Sequence, residues 1–272
     1  MAETRFSPAP SLAELAGLID RGDGADRAFV DAMLRLSWSR TPQAEQRAEL
    51  SRLHEALSRR ALGCHAPVRR QIAAGTLRGP GLRRHFEAVP APQRDHFVEE
   101  VLGVAYPPLE ERPLLTSEHM PYAPSGYDEI MHAFDLTELG PSAQLLDLGS
   151  GMGKAVMLAT LLTGATSVGV EVDDVLCARA QHASEALGVG AVLSVRDARE
   201  VDTLQADVVF MYLPFAGAVL TRVLRRLSDD ARRRPAGAPR RFLCTGPLDA
   251  AQHPELRPVG PAKAWLQVYA WQ

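Results

Sequence analysis

The stretch from Gln144 to Asp173 reads QLLDLGSGMGKAVMLATLLTGATSVGVEVD, and it constrains the fold more than any other part of the chain. An apolar run at Leu145 and Leu146 ends in Asp147, and glycines at alternate positions, Gly149, Gly151 and Gly153, then give way to a helical pattern. This is the order strand, tight turn, helix. The helix, about Lys154 to Thr163, carries Val156, Met157, Ala159, Thr160 and Leu161 in a nearly continuous apolar surface, as expected of a helix packed on a parallel sheet. Gly164 supplies a stop, and the β-branched run Ser167 to Val172 predicts a second parallel strand ending near Glu171.

Three kinds of ligand site use such a unit, and spacing separates them. A phosphate loop of the form G-x-x-x-x-G-K-[ST] requires a glycine at Leu148 and a hydroxyl at Ala155, and both fail. A dinucleotide site requires G-x-G-x-x-G, but Lys154 stands where the third glycine belongs, which weakens that reading. What fits is acid-x-G-x-G-x-G from Asp147, followed by an acid, Glu171, at the end of the second strand. Glycines permit positive φ and let a ligand lie on bare backbone, while the N–H groups opening the next helix favour negative charge. Glu171, about 20 residues past the loop, stands where an acid accepts hydrogen bonds from ribose hydroxyls and selects a sugar without a 2′-phosphate.

From about Ser125 to its end the chain resembles the class I, seven-strand S-adenosylmethionine-dependent methyltransferases. That resemblance implies an α/β fold: a doubly wound, Rossmann-like seven-strand sheet with a closing antiparallel hairpin. It implies S-adenosyl-L-methionine as cofactor, with Asp147 near the methionine amino group and Gly149, Ser150, Gly151 and Gly153 in the turn against it. Glu171 and Val172 would hold the ribose. Asp197 and Ala198, just past a third strand at Ala191 to Val195, would meet the adenine, Asp197 accepting from its amino group.

Ahead of this unit, Ser11 to about Gly103 reads as helices separated by Pro and Gly. Ser11 caps Leu12 to Asp20, Asp23 caps Gly24 to Trp38, and Pro42 opens Gln43 to Leu62. Shorter helices are predicted over Val68 to Ala74, Gly81 to Ala88 and Ala91 to Val104. The expected organisation is an all-α domain over residues 1–104, a Pro-rich linker or lid over 105–124, and the cofactor-binding domain over 125–272. The arginine pairs Arg59-Arg60, Arg69-Arg70 and Arg83-Arg84 read as solvated helix faces, since no aromatic residues are interleaved to stack bases.

In the linker, Pro107, Pro108, Pro113, Pro121 and Pro124 forbid a long helix. Ser125 is expected to cap the helix GYDEIMHAFDL. The stretch PYAPSGYDEI is similar to a segment of the seven-strand protein lysine methyltransferases of the non-SET histone type, which folds over the cofactor's methionine end. This resemblance makes Tyr122, with Ser125 and Tyr127, cofactor or lid contacts.

Beyond Glu171, the pattern predicts a helix over Val175 to Leu187 and a fourth strand over Ala206 to Leu213. A helix over Gly217 to Leu227, a fifth strand over Arg241 to Thr245, and a hairpin of Leu256 to Val259 with Ala264 to Trp271 complete the sheet. Ala231 to Arg241 reads as a solvated basic loop. Tyr212, Leu213, Pro214 and Phe215 end the fourth strand, beside which the resembled family transfers its methyl group. Family members acting on amines often carry Asn-Pro-Pro-Tyr there. This chain keeps the second proline and the aromatic, so these four residues are the expected substrate-positioning set. Glu118, His119 and Tyr212 are the candidates for a base.

A formal net charge of −3 gives no global argument for nucleic acid or anionic membranes as partners. No apolar run reaches the roughly 18 residues of a membrane span. Cys64, Cys177 and Cys244 are widely spaced and form no C-x-x-C, so no metal site or disulfide framework is expected, and a reducing cytoplasm is. The expectation is an enzyme that methylates nitrogen, with a protein lysine as acceptor. Alternatives are a small-molecule N- or O-methyltransferase with the helices as lid, and a non-catalytic nucleotide- or RNA-binding module. Oligomeric state is not legible.

Overall fold

The computed structural model describes residues 44–105, 118–120, 122–212, 214–234, 242–246, 248–249 and 252–271. The helices expected over Leu12 to Asp20 and Gly24 to Trp38 lie outside the described residues, as do most of the Pro-rich linker and Leu213. Helices α1 (Ala44–Cys64), α2 (Ala66–Ala73), α3 (Gly79–Glu87) and α4 (Ala91–Leu102) come first. Prolines set the starts of three of them, occupying the first turns of α2, α3 and α4 where no N–H is required. Gly103, left-handed at φ 83°, ends α4.

Helix α5 (Tyr127–Leu136) leads into β1 (Gln144–Leu148), and α6 (Lys154–Leu158) continues as one π turn, Ala159–Thr163, to Gly164. Then come β2 (Thr166–Glu171), α7 (Asp174–Ala186), β3 (Val192–Val195), a short 3-10 turn (Ala198–Glu200), β4 (Val208–Phe210), α8 (Gly217–Arg233), β5 (Phe242–Thr245), β6 (Leu256–Lys263) and β7 (Leu266–Trp271). The strands form one seven-stranded sheet in the order β3-β2-β1-β4-β5-β7-β6. β1 to β5 run parallel and β7 and β6 antiparallel, so the expected doubly wound sheet with its closing hairpin is what forms.

Alternation along the strands builds two cores. Leu145, Val208, Phe210, Cys244 and Val268 face one layer, which holds Met157 and Leu158 of α6 together with Ile72, Leu82, Phe86, Val98, Val101, Tyr127 and Ile130. The helices from α2 onward therefore share their core with the sheet. Leu146, Leu148, Val209, Leu243 and Tyr269 face the other layer, against Val219, Val223, Leu224 and Leu227 of α8. Among the described residues no helix is long and apolar enough to cross a membrane.

Several local expectations are corrected by tertiary contacts. Ser125 does not cap α5: Asp95 of α4 accepts the Tyr127 N–H, and Glu129 accepts the Gly126 N–H at 3.1 Å. Helix α8 runs past Leu227 to Arg233, because Asp230 is buried and accepts from the Thr203 hydroxyl at 2.7 Å. The basic run consequently begins inside that helix. Its Arg234 is no solvated loop residue, since it pairs with Asp207 at 3.0 Å and donates to Leu204 and Ala206 carbonyls. Arg83 clamps Asp135 at 2.6 Å, and Arg69 donates to the Val101 carbonyl, so both pairs contribute to packing.

Candidate functional site at the carboxyl ends of the parallel strands

Strand order reverses at β1, which has β2 on one side and β4 on the other. In open α/β sheets ligands bind in the crevice outside the carboxyl ends at such a switch point. Asp147 stands there, in register with Gly169 of β2 and Phe210 of β4. It is only 4% exposed, and no cation pairs with its carboxylate among the described residues. Burial, reinforced by the charge of Glu171, raises its pKa well above the ordinary carboxylate range.

The loop after β1 is held by its own backbone. Gly149 and Ser150 N–H groups both donate to the Val170 carbonyl, at 2.9 and 3.0 Å, and Gly153 N–H donates to Ser150 O at 2.7 Å. Gly149, Gly151 and Gly153 all have positive φ, at 83°, 51° and 76°. A side chain is also excluded by its neighbours: a Cβ on Gly149 would stand 2.3 Å from Pro214 Cβ, and one on Gly151 2.3 Å from the Tyr122 ring. Gly149→Ala therefore combines left-handed strain with a clash against the end of β4, and should lower stability by about 2–4 kcal/mol. A melting temperature within a degree of the parent chain would contradict this. Ser150 Oγ is buried without a hydrogen-bond partner among the described residues.

Glu171 grips this loop. Its Oε2 accepts the Gly151 N–H at 2.8 Å, and its Oε1 accepts the Val172 and Asp173 N–H groups, each at 2.9 Å. Two bonds fill Oε1, while Oε2 retains one lone pair for a ligand hydroxyl. Burial raises the pKa of Glu171, and the Gly151 and Val172 N–H groups oppose that shift. Asp197 caps the 3-10 turn that opens at Ala198. The Arg199 guanidinium holds its pKa below the usual value through a two-oxygen clamp, 2.5 Å at the closest. This pair is exposed enough for Asp197 to exchange partners cheaply.

Tyr122 packs its ring on Gly151 at the mouth of the loop, and burial among Glu99, Glu171 and Asp147 pushes its phenol pKa up. Tyr127 lies elsewhere. It is 1% exposed, edge-on to Phe86 with ring centroids 5.8 Å apart, so it belongs to the core and not to a lid.

At the end of β4 the expected positioning set divides. Tyr212 is half-buried, and both burial and a hydrogen bond to the Glu129 carboxylate raise its pKa, which disfavours the phenolate. Phe215 is 6% exposed and packs in the α8 layer, which removes its ring from the crevice. Pro214 lies against Gly149, and its carbonyl accepts the Met120 N–H at 3.0 Å. Glu118 is not a base: its carboxylate accepts the Ala218 and Val219 N–H groups at 3.0 and 3.2 Å and caps α8.

Sequence reasoning missed a buried ionic cluster beneath the loop. Lys154, the first residue of α6 and 4% exposed, pairs with Asp95 at 2.8 Å and Glu99 at 2.7 Å on α4. The acids are four apart on a helix whose other residues Val98, Val101 and Leu102 are buried, and that spacing was the available signal. No cluster of His, Cys, Asp and Glu among the described residues is arranged to hold a metal ion.

A protein-family model described as "Histone methylation protein DOT1" matches residues 118–192, which run from the segment beside β4 through the glycine loop to the start of β3. The end of β4 lies outside that match. A histone-lysine N-methyltransferase, H3 lysine-79 specific, of Cryptococcus neoformans is 36% identical over 115 residues, 38% of this chain and 18% of that protein. The chain therefore spans less than a fifth of that relative's length. Among solved structures, an RNA methyltransferase from Salinibacter ruber in complex with S-adenosyl-L-homocysteine aligns at TM-score 0.45 and 24% identity, over 55% of this chain and 92% of that one. The putative methyltransferase yhhF from Escherichia coli aligns at TM-score 0.44 and 18% identity, over 55% of this chain and 87% of that one.

Proposed function

We propose that the chain is an S-adenosylmethionine-dependent methyltransferase acting on the side-chain nitrogen of a protein lysine. The observation that carries the cofactor is Asp147, a buried carboxylate with no cation beside it among the described residues, one strand away from Glu171. A buried, unpaired charge is costly unless a ligand supplies the opposite one. S-adenosylmethionine brings an ammonium for Asp147 and ribose hydroxyls for the free lone pair of Glu171; a nicotinamide dinucleotide brings no ammonium. Gly149, Gly151 and Tyr122 would flank it, and Asp197 with Ala198 would border the adenine. The match of residues 118–192 to the family model described above supports the lysine acceptor.

When bound, the cofactor supplies an activated methyl group on a sulfonium. The protein's share is positioning, which alone contributes up to roughly 7–11 kcal/mol to such transfers. Tyr212 is held by Glu129 and Pro214 by Met120, so the end of β4 offers a fixed wall beside the site. Tyr212 and Glu118 are engaged elsewhere, so neither would take a proton from the amine.

The test is incubation with S-adenosylmethionine labelled in its methyl group, using histones and total cell protein as acceptors, followed by acid hydrolysis. Label is expected in methyl-lysine. Label confined to RNA or to small metabolites, or no binding of S-adenosylhomocysteine at all, would refute the assignment.

A further inference from the structure

Residues 118–120 form a short strap beside the end of β4. His119 makes an antiparallel bridge with Phe215, Met120 N–H donates to Pro214 O at 3.0 Å, and Ala216 N–H donates to Glu118 O at 2.8 Å. The strap is further fixed by the Glu118 carboxylate on the N-terminus of α8, where Gly217 leaves room for it: a Cβ there would stand 2.4 Å from Glu118 Oε1. Successive side chains of an extended segment leave opposite faces. Glu118 leaves on one face to cap the N-terminus of α8, and the bridge puts the imidazole of His119 on the other, the face it shares with Phe215, whose cluster reaches Val170 of β2 and Ala198. Consistent with that direction, His119 acts electrostatically on both Glu171 and Asp197, the acids at the ends of β2 and β3.

We propose that His119 is a nucleoside-binding residue, whose imidazole closes the crevice from the strap side and contacts the ribose and adenine of the cofactor. The inference rests on the reading of the site as one for S-adenosylmethionine. An imidazole suits the position in two ways: its flat face packs on a purine or sugar, and its ring nitrogens exchange hydrogen bonds with hydroxyls. The ligand recognised by this face is an adenine nucleoside, whatever is attached at its 5′ carbon.

The experiment titrates the full chain and the variants His119→Ala and His119→Gln with two ligands. S-adenosylhomocysteine carries both halves of the cofactor; 5′-methylthioadenosine carries the nucleoside alone. His119→Ala should weaken both ligands by a similar factor, on the order of tenfold, with the melting temperature of the ligand-free protein unchanged. His119→Gln, which keeps a donor at similar reach, should retain more affinity. Asp147→Asn serves as the contrast and should weaken S-adenosylhomocysteine alone. Unchanged or tighter binding in His119→Ala overturns the proposal, as does a loss confined to S-adenosylhomocysteine. A fall in ligand-free melting temperature that tracks the affinity loss in both variants would assign His119 a structural role instead. If the parent chain binds neither ligand, the methyltransferase reading fails and this inference fails with it; parent binding with indifferent variants removes the inference alone.

Discussion

Asp147→Asn should make the ligand-free protein more stable and the cofactor site nearly useless. The carboxylate is 4% exposed, and among the described residues only the like charge of Glu171 acts on it, so its ionised form is disfavoured in the fold. Its folded pKa lies well above its unfolded value. The sign follows: its contribution to stability is fully present below the unfolded pKa and is lost as pH rises through the folded pKa. Asparagine fills the same volume without that loss, so the variant should gain about 1–3 kcal/mol at neutral pH and show a flatter dependence of stability on pH. Binding moves the other way. Losing the partner of a buried ammonium costs about 2–5 kcal/mol, or roughly 30- to 5,000-fold in the dissociation constant of S-adenosylhomocysteine. In the parent chain, affinity should rise with pH as Asp147 ionises. Calorimetric titration and thermal melts from pH 5 to 8 check both halves. A variant that is less stable yet binds normally would mean that Asp147 is a structural acid with an internal partner.

Lys154→Met should cause the largest loss of stability. Lys154 and Glu99 are both nearly excluded from solvent, with side chains 5% and 13% exposed, while Asp95 is half-exposed and can turn to water. Removing the lysine strands Glu99, whose pKa burial already raises against the opposing charge of Lys154. Breaking a buried pair from one side costs about 3–5 kcal/mol. In a chain of this size that lowers the melting temperature by roughly 6–20 °C. Glu99 can escape by taking a proton, so the deficit should narrow as pH falls and widen as pH rises through its folded pKa. Adding Glu99→Gln should restore much of the loss, since the orphaned charge is then gone. A single variant melting within about 1 °C of the parent would show the cluster to be solvated.

The same cluster explains why the helices before the sheet were legible as helices but not as neighbours of the glycine loop. Pro67, Pro80 and Pro92 near the starts of α2, α3 and α4 and Gly103 at the end of α4 are local signals, and the predicted bounds fall within about two residues of those observed. Their placement against α6 depends on Lys154 meeting Asp95 and Glu99, the nearer acid lying 55 residues away in sequence. Ser125 illustrates the same limit. Its position just ahead of a helical run makes it a sound local cap, but Asp95 and Glu129 reach the free N–H groups first. Glu118, Tyr212 and Phe215 were candidates for chemistry because of where they stand in the chain. The fold spends the first on capping α8, the second on Glu129, and buries the third.

By itself the sequence determined the strand-turn-helix unit and the positions of Asp147, Glu171 and Asp197 at strand ends, while the doubly wound sheet was expected from the family resemblance. The unit and those positions rest on steric and periodic rules that act within a few residues: glycines at positive φ, alternation along strands, and acids placed where the chain leaves the sheet. Only the tertiary structure decided which of those acids are already engaged. Asp197 is clamped by Arg199 and Glu171 by three backbone N–H groups, while Asp147 is left without a cation among the described residues. That distinction depends on burial and on which groups converge from distant elements, because the cost of a charge is set by the medium and partners around it and not by its neighbours in sequence.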